Sequence, residues 1–254
     1  MIDIKIIMIS SFSLSLYDRS SFVYLILGYK MDYIILDFFD SCILKELERV
    51  KQISAEIGNN FDYKQISLED KRTLDAFVKG NTTGIFKFES SDMKTILKAF
   101  VPEDFSDLVF INTMYHTGFI YHIADVIKRK KTENYRNDFP GCEVLLKETY
   151  GIPVYQEQIT QMIQIFADYS PEEAVLLLHV MKSKKVEKLF ISKQKFIKRT
   201  VYKGIIAENQ ANNIFDILVP FAGYACDKSQ IISYTMIAWW KMYLKVHYQK
   251  NFRE

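Results

Sequence analysis

The sequence predicts a mainly α protein with a short β segment near its start. Three observations carry that expectation. Only 9 glycines and 5 prolines are spread over 254 residues, so few positions force a break. Lys, Glu, Leu and Ile are abundant, a composition that favours helix. Apolar residues recur at the i, i+3, i+4, i+7 spacing of one buried helical face, most clearly at Ile159, Met162, Ile163 and Phe166. The chain is long enough to bury a substantial core in one large or two small domains. Its 49% hydrophobic and 25% charged content is that of a soluble globular chain. No segment approaches the roughly 18 consecutive apolar residues of a membrane span.

Residues 1–30 mix Ile, Ser, Leu and Tyr with Asp3, Lys5, Asp18 and Arg19. Serines interrupt the apolar centre that a signal peptide needs, and no clear cleavage site follows, so none is expected. Residues 22–27 form a short apolar run, a strand or edge element ended by Gly28. Residues 33–39 form a second β-forming run with a carboxylate, Asp37, inside it. A carboxylate among apolar neighbours is costly to bury unless paired, hydrogen-bonded or metal-bound. Asp37 therefore either ends the strand and caps the next helix, or is a metal ligand on the strand.

Asp40 or Ser41 caps a helix to about Ile57, with Ile43, Leu47, Val50 and Ile57 on its apolar face. Gly58-Asn59-Asn60 stops it. Ser67 with Asp70 forms a capping pattern before a helix through Val78, which Gly80 ends. Residues 82–90 read as extended. Helices follow from Ser91 to about Phe100 and, after a turn opened by Pro102, over residues 105–114. Residues 115–119 read as a loop. Residues 120–131 carry a basic end, Lys128-Arg129-Lys130-Lys131, and residues 134–142, polar and containing Pro140, are an exposed connection.

Residues 143–149 are a short helix. Gly151 and Pro153 then break the chain, Val154 and Tyr155 are extended, and a helix runs from Gln156 to Tyr169. Ser170-Pro171-Glu172-Glu173 is a start signal of cap, first-turn proline and first-turn acids for a helix to about Met181. The basic segment after it forms another long helix through Lys203. Residues 208–219 form a helix closed by Pro220, and residues 221–229 a loop of small residues. Residues 231–248, with Trp239 and Trp240 near the middle, form a buried core helix interrupted by Lys241 and Lys245.

The net charge of +2 matters less than its distribution. Lys182, Lys184, Lys185, Lys188, Lys193, Lys195, Lys198, Arg199 and Lys203 face a single acid, Glu187, in one stretch. Such a run is either a solvated helix face or a surface for a phosphate backbone. Cys42, Cys142 and Cys226 are far apart and odd in number, which fits a reducing cytoplasm rather than a disulfide framework. His116, His122, His179 and His247 form no zinc-ligand pattern.

Several blocks stand in one order. They are Ile-Leu-Asp-Phe-Phe around Asp37, Thr-Gly-Ile-Phe-Lys-Phe-Glu-Ser-Ser-Asp-Met over residues 83–93, and Asn-Thr-Met-Tyr-His-Thr-Gly-Phe over 112–119. Leu-Lys-Glu-Thr-Tyr-Gly-Ile-Pro-Val-Tyr-Gln-Glu-Gln then spans 146–158, and Phe-Ala-Gly-Tyr-Ala-Cys-Asp-Lys-Ser spans 221–229. This ordered set resembles the α subunit of bacterial DNA polymerase III, a C-family replicative polymerase, from about residue 32 to the end. Residues 1–30 do not match.

The resemblance implies a layout: an unmatched segment over 1–30, a palm-edge strand over 31–40, and a truncated helical fingers region over 41–254. It implies two-metal nucleotidyl transfer with Mg²⁺, and Asp37 at the place of the family's third metal-holding, catalytic aspartate. It implies primer–template DNA, deoxynucleoside triphosphates and other replisome subunits as partners, with no membrane. Nucleotide- or DNA-binding positions carried over are Lys182, Lys184, Lys185, Gly118, Lys228 and Ser229.

The departures are as informative. No Asp-x-Asp pair precedes Asp37, and one carboxylate does not hold two ions about 4 Å apart. The family's Arg-Pro-Gly-Pro loop reads His116-Thr117-Gly118-Phe119, which loses a bidentate cation. Its Met-Gly-Lys-Lys reads Met181-Lys182-Ser183-Lys184, and its Phe-Asn-Lys-Ser-His reads Cys226-Asp227-Lys228-Ser229-Gln230. Lys87 and Asp92 replace a Gln and a Gly in the block that keeps Glu89, Ser90 and Met93. The expected function is thus a polymerase fragment without activity of its own. The alternatives are a non-catalytic nucleic-acid-binding helical module and a non-functional gene remnant.

Overall fold

The structure, a computed structural model, describes residues 41–58, 60–132, 138–183, 185–204 and 206–252. The described residues are mainly helical. The expected β segment of residues 33–39, and Asp37 within it, lie outside them. No helix among the described residues is long and apolar enough to cross a membrane. The chain divides into two compact units: Met1–His116 with Lys228–Glu254, and Thr117–Asp227.

The first unit is built around its last helix. Its helices are α1 (Ser41–Ile57), α2 (Lys71–Val78), α3 (Ser91–Phe100), α4 (Phe105–His116) and, from the end of the chain, Lys228–His247. That last helix is buried almost all round from Ile231 to Met242, which marks it as a core element rather than a surface one. Trp239 packs edge-on against Phe105 and parallel to Phe77, with centroids 5.9 and 6.1 Å away, and its indole N–H donates to the carbonyl of Ser67 at 3.1 Å. Trp240 meets Tyr63 edge to face at 4.9 Å. Lys241, nearly buried, escapes an unpaired charge by bonding Glu46 of α1. In α1 the buried face is Ile43, Leu47, Val50 and Ile53, while Ile57 is half-buried.

The caps explain where helices begin. Asp70, not Ser67, caps α2 by accepting from the Thr73 N–H at 2.8 Å, while Ser67 accepts from Glu69. Ser90 caps α3 through Met93 at 3.2 Å. Gly80 ends α2 at φ +71; a Cβ there would meet only the movable end of the Lys98 side chain at 2.9 Å, so it is the left-handed conformation that favours glycine. Residues 82–90 are not extended. Ile85 donates to Thr82 and Phe88 to Ile85, each at 3.0 Å, giving two successive turns that put Ile85 and Phe88 into the core. Tyr115 and His116 extend α4 rather than forming a loop.

The second unit holds α5 (Ile123–Thr132), the short α6 (Glu143–Leu146), α7 (Gln156–Ala167), α8 (Pro171–Ser183), α9 (Val186–Lys203) and α10 (Glu208–Tyr224). Helices α7 to α10 pack on one another around Ile159, Met162, Phe166, Leu177, Phe196 and Phe215. The expected start signal of α8 is formed: the Ser170 hydroxyl accepts from the Glu173 N–H and the Glu173 carboxylate from the Ser170 N–H, at 3.2 and 3.1 Å. Pro220 does not close α10, which continues to Tyr224. Pro220 lies on the exposed side while Leu218 and Ala222 are buried, so water can satisfy the carbonyl its ring leaves free. With the Lys228–His247 helix, here α11, starting at Lys228, only residues 225–227 separate it from α10; the expected nine-residue loop is mostly helix.

Candidate nucleic-acid interface

The entry to α7 organises the second unit. Tyr150 and Gly151 turn the chain at φ +53 and +81, and Pro153 delivers it extended. Gln158, buried in the first turn of α7, receives N–H bonds from Val154 and Tyr155 at 3.0 and 3.1 Å. Its amide donates to the Thr149 hydroxyl at 2.9 Å and the Leu145 carbonyl at 3.3 Å. One glutamine thus satisfies the two main-chain N–H groups that lead into α7 and bonds back to the preceding helical turn. A single parallel bridge joins Tyr155 to Cys226: Cys226 donates to Val154 at 3.2 Å and Gln156 to Cys226 at 2.9 Å. The bridge fixes Asp227 beside the start of α7.

Lys182 stands in that neighbourhood. Burial holds its pKa below the usual lysine value, against the opposing pull of Asp227, Cys226 and Glu157. Lys185 is exposed at the N-cap of α9, and Lys184 lies outside the described residues. Gly118 adopts φ +76 ahead of a 3₁₀ turn over Phe119–His122, and a Cβ there would meet nothing within 4 Å, so its need is conformational. Phe119 anchors this turn on α10, stacked on Phe221 at 5.2 Å and edge-on to Tyr224 at 5.5 Å. In the first unit, Lys228 and Ser229 open α11, with the Ser229 carbonyl accepting from Ser233 at 2.9 Å.

The basic stretch separates into two kinds of cation. Lys193 bonds Asp216 of α10 at 2.6 Å. Lys195 and Arg199 both reach Glu173 of α8, at 3.1 and 2.9 Å, and Arg199 also bonds the Asp168 carbonyl that ends α7. The two lie over the Tyr169 ring at 5.2 and 4.2 Å. Lys203 donates to the Ile165 carbonyl at 2.9 Å. These four cations tie α9 to its neighbours. Lys185, Lys188 and Lys198 are exposed and pair with no carboxylate among the described residues.

In the first unit an open cleft of about 390 Å³ is lined by Lys87, Glu89, Ser90, Asn112, Tyr115 and His116. Lys87 holds φ +64 and places its ammonium 4.9 Å over the Tyr234 ring, and Ser90 bonds the Tyr115 hydroxyl at 3.0 Å. Sequence reading singled out the blocks containing residues 87–90 and 112–116 but did not bring them together; only the packing of α3 on α4 does so. The Gln158 network was likewise missed, although all of its residues but Leu145 fall within one quoted block.

Among the described residues no three His, Cys, Asp or Glu side chains gather as a metal ion would need. Asp37, the Mg²⁺ ligand the resemblance implies, lies outside the described residues.

A family model described as the bacterial DNA polymerase III alpha subunit finger domain matches residues 42–204. DNA polymerase III subunit alpha of Halalkalibacterium halodurans is 36% identical over 219 residues, covering 85% of this chain and 20% of that protein. The subunit of Aquifex aeolicus is 34% identical over 221 residues, 85% of this chain and 19% of that protein. That of Thermus aquaticus is 33% identical over 225 residues, 85% of this chain and 18% of that protein. The chain spans about a fifth of the length of these curated relatives.

Proposed function

The chain belongs to the bacterial DNA polymerase III alpha subunit family, and on that premise we propose that it supplies a fingers function in DNA replication without polymerising alone. The observation that carries the reading is the finger-domain match over residues 42–204, which takes in α1 to α9. In this reading Lys182, Lys184, Lys185 and the Gly118 turn in the second unit, and Lys228 and Ser229 in the first, hold primer–template DNA and the incoming deoxynucleoside triphosphate. Asp37 is one ligand of a Mg²⁺ pair whose other carboxylates come from elsewhere. Replisome subunits are the remaining partners, and the compartment is the cytoplasm. Residues 31–40 act as a palm-edge strand, 41–254 as fingers, and 1–30 lie outside both.

The test is primer extension by the purified chain with magnesium and the four nucleotides, run beside anisotropy binding to labelled primer–template. Binding without extension is the expected result, and it should weaken steeply as salt rises because bound counterions are released. Processive synthesis would overturn the non-catalytic part of the reading. Absence of salt-sensitive binding would overturn the DNA-binding part. A second reading, a nucleic-acid-binding helical module acting apart from a polymerase, is favoured by one observation: Lys185, Lys188 and Lys198 face outward without partners among the described residues.

A further inference from the structure

The last turn of α11 meets the start of α2 through one imidazole. His247 places Nε2 3.0 Å from Oδ1 of Asp70 and Nδ1 3.4 Å from the Arg72 guanidinium. Asp70 is the cap of α2, so the same oxygen also receives the Thr73 N–H, at 2.8 Å. Arg72 in addition reaches the Val246 carbonyl at 3.5 Å, one of the carbonyls that the end of a helix leaves without an intrahelical partner. The Tyr243 ring stacks on the imidazole with centroids 4.2 Å apart, which holds the plane in which its two nitrogens point. The side chains of His247 and Asp70 keep only 18% and 22% of their surface open.

These partners allow one arrangement of the ring hydrogen. A carboxylate only accepts and a guanidinium only donates. Nε2 therefore carries the hydrogen and Nδ1 the lone pair, which is the neutral imidazole. A second proton, on Nδ1, would aim an N–H at the guanidinium and set two positive charges side by side, while Asp70 would gain a full ion pair. The charged and titratable groups around the ring are Asp70 and Arg72 from α2, Tyr243 from α11 and Tyr248 just after it. Burial raises the Asp70 carboxyl, but the bonds from His247 and Thr73 bring it below its usual value on balance. Burial first, then Tyr248 and Asp70, push the Tyr243 phenol up. Asp70 thus stays charged and Tyr243 neutral across the interval of about pH 5 to 8 in which an imidazole ordinarily titrates.

We propose that His247 is a proton-operated latch within the first unit: the neutral ring ties Asp70 and Arg72 of α2 to the end of α11, and protonation at Nδ1 releases Arg72 while the tie to Asp70 persists. The latch uses none of the residues given to DNA or nucleotide, so it stands apart from that reading.

The test uses the full 254-residue chain with ¹⁵N-labelled histidine. At about pH 8, long-range ¹H–¹⁵N spectra should show His247, identified by the signal that His247→Gln removes, with its hydrogen on Nε2 and a lone pair on Nδ1. The opposite tautomer would overturn the latch. The second arm is urea unfolding of the first unit, read by hydrogen exchange. Arg72→Ala should lower the folding constant about two- to threefold at about pH 8, and at about pH 5 that loss should vanish or reverse. In a His247→Gln background, where the side chain offers a donor and an acceptor but takes up no proton, Arg72→Ala should cost the same at both pH values. An equal cost of Arg72→Ala at both pH values in the wild-type background overturns the latch. Should His247→Gln fail to fold, that comparison of wild type with Arg72→Ala decides alone.

Discussion

The first unit is held by bonds between residues far apart in the chain, whereas the α7 to α10 core of the second is built from helices that follow one another. Asn112 meets Thr235, Ser67 meets Trp239 and Glu46 meets Lys241, across 123, 172 and 195 positions. In the second unit Glu173 reaches Arg199 across 26 positions and Asp216 reaches Lys193 across 23. Closing a long loop costs more chain entropy than closing a short one, so the contacts of α11 in the first unit carry the larger closure cost. The comparison teaches where charge goes. The first unit uses a lysine, Lys241, inside its core against one carboxylate; the second spends its acids on a few cations and leaves others facing water.

The comparison is tested most severely at Trp239. Trp239→Ala should destabilise the first unit by about 3–5 kcal/mol through a lost aromatic cluster and an unmatched Ser67 carbonyl. Hydrogen exchange read by mass spectrometry should show protection lost in α1, α2 and α11 while α7 to α10 keep theirs. Equal loss in both units would break the comparison. Next comes Gln158→Ala, expected to cost the second unit about 2–4 kcal/mol because the buried Val154 and Tyr155 N–H groups lose the Gln158 oxygen as acceptor. Its exchange signature should appear at residues 149–158 and spare α11.

A smaller effect is expected from acid. Bonds from the Ser170 N–H, then from Lys195 and Arg199, hold Glu173 down from 4.5 to about 2. A carboxylate depressed in the folded state stabilises above its unfolded value, and that contribution disappears as pH falls from about 4.5 towards 2. The α8–α9 contact should therefore weaken over that window, and Glu173→Gln should flatten the pH dependence of second-unit stability. The smallest effect belongs to Lys193→Ala, whose half-exposed partner Asp216 limits the loss to below about 1 kcal/mol in urea unfolding. A larger loss would mean that this pair, rather than the apolar core, fastens α9 to α10.

Most helices were legible because caps and periodicity agree locally. Ser90, Ser170 and the apolar face of α7 announce themselves in a few residues. Residues 82–90 misled because Ile85, Phe86 and Phe88 resemble a strand, whereas their burial is met by consecutive turns against α2 and α11. Pro220 misled because its cost depends on whether water reaches the freed carbonyl, which only packing decides. The basic stretch was visible, but its division was not. The carboxylates that engage Lys193, Lys195 and Arg199 lie on α8 and α10, so no window of sequence separates structural cations from outward ones.

The Tyr155–Cys226 bridge makes its join tolerant of side-chain change. Its two strand-type bonds run between main-chain groups, Cys226 N–H to Val154 and Gln156 N–H to Cys226. Side chains there can drift without loosening the clamp. A change of side chain at Cys226 that keeps the backbone extended therefore leaves both bonds in place, so the join between the start of α7 and the end of α10 does not depend on which residue stands there.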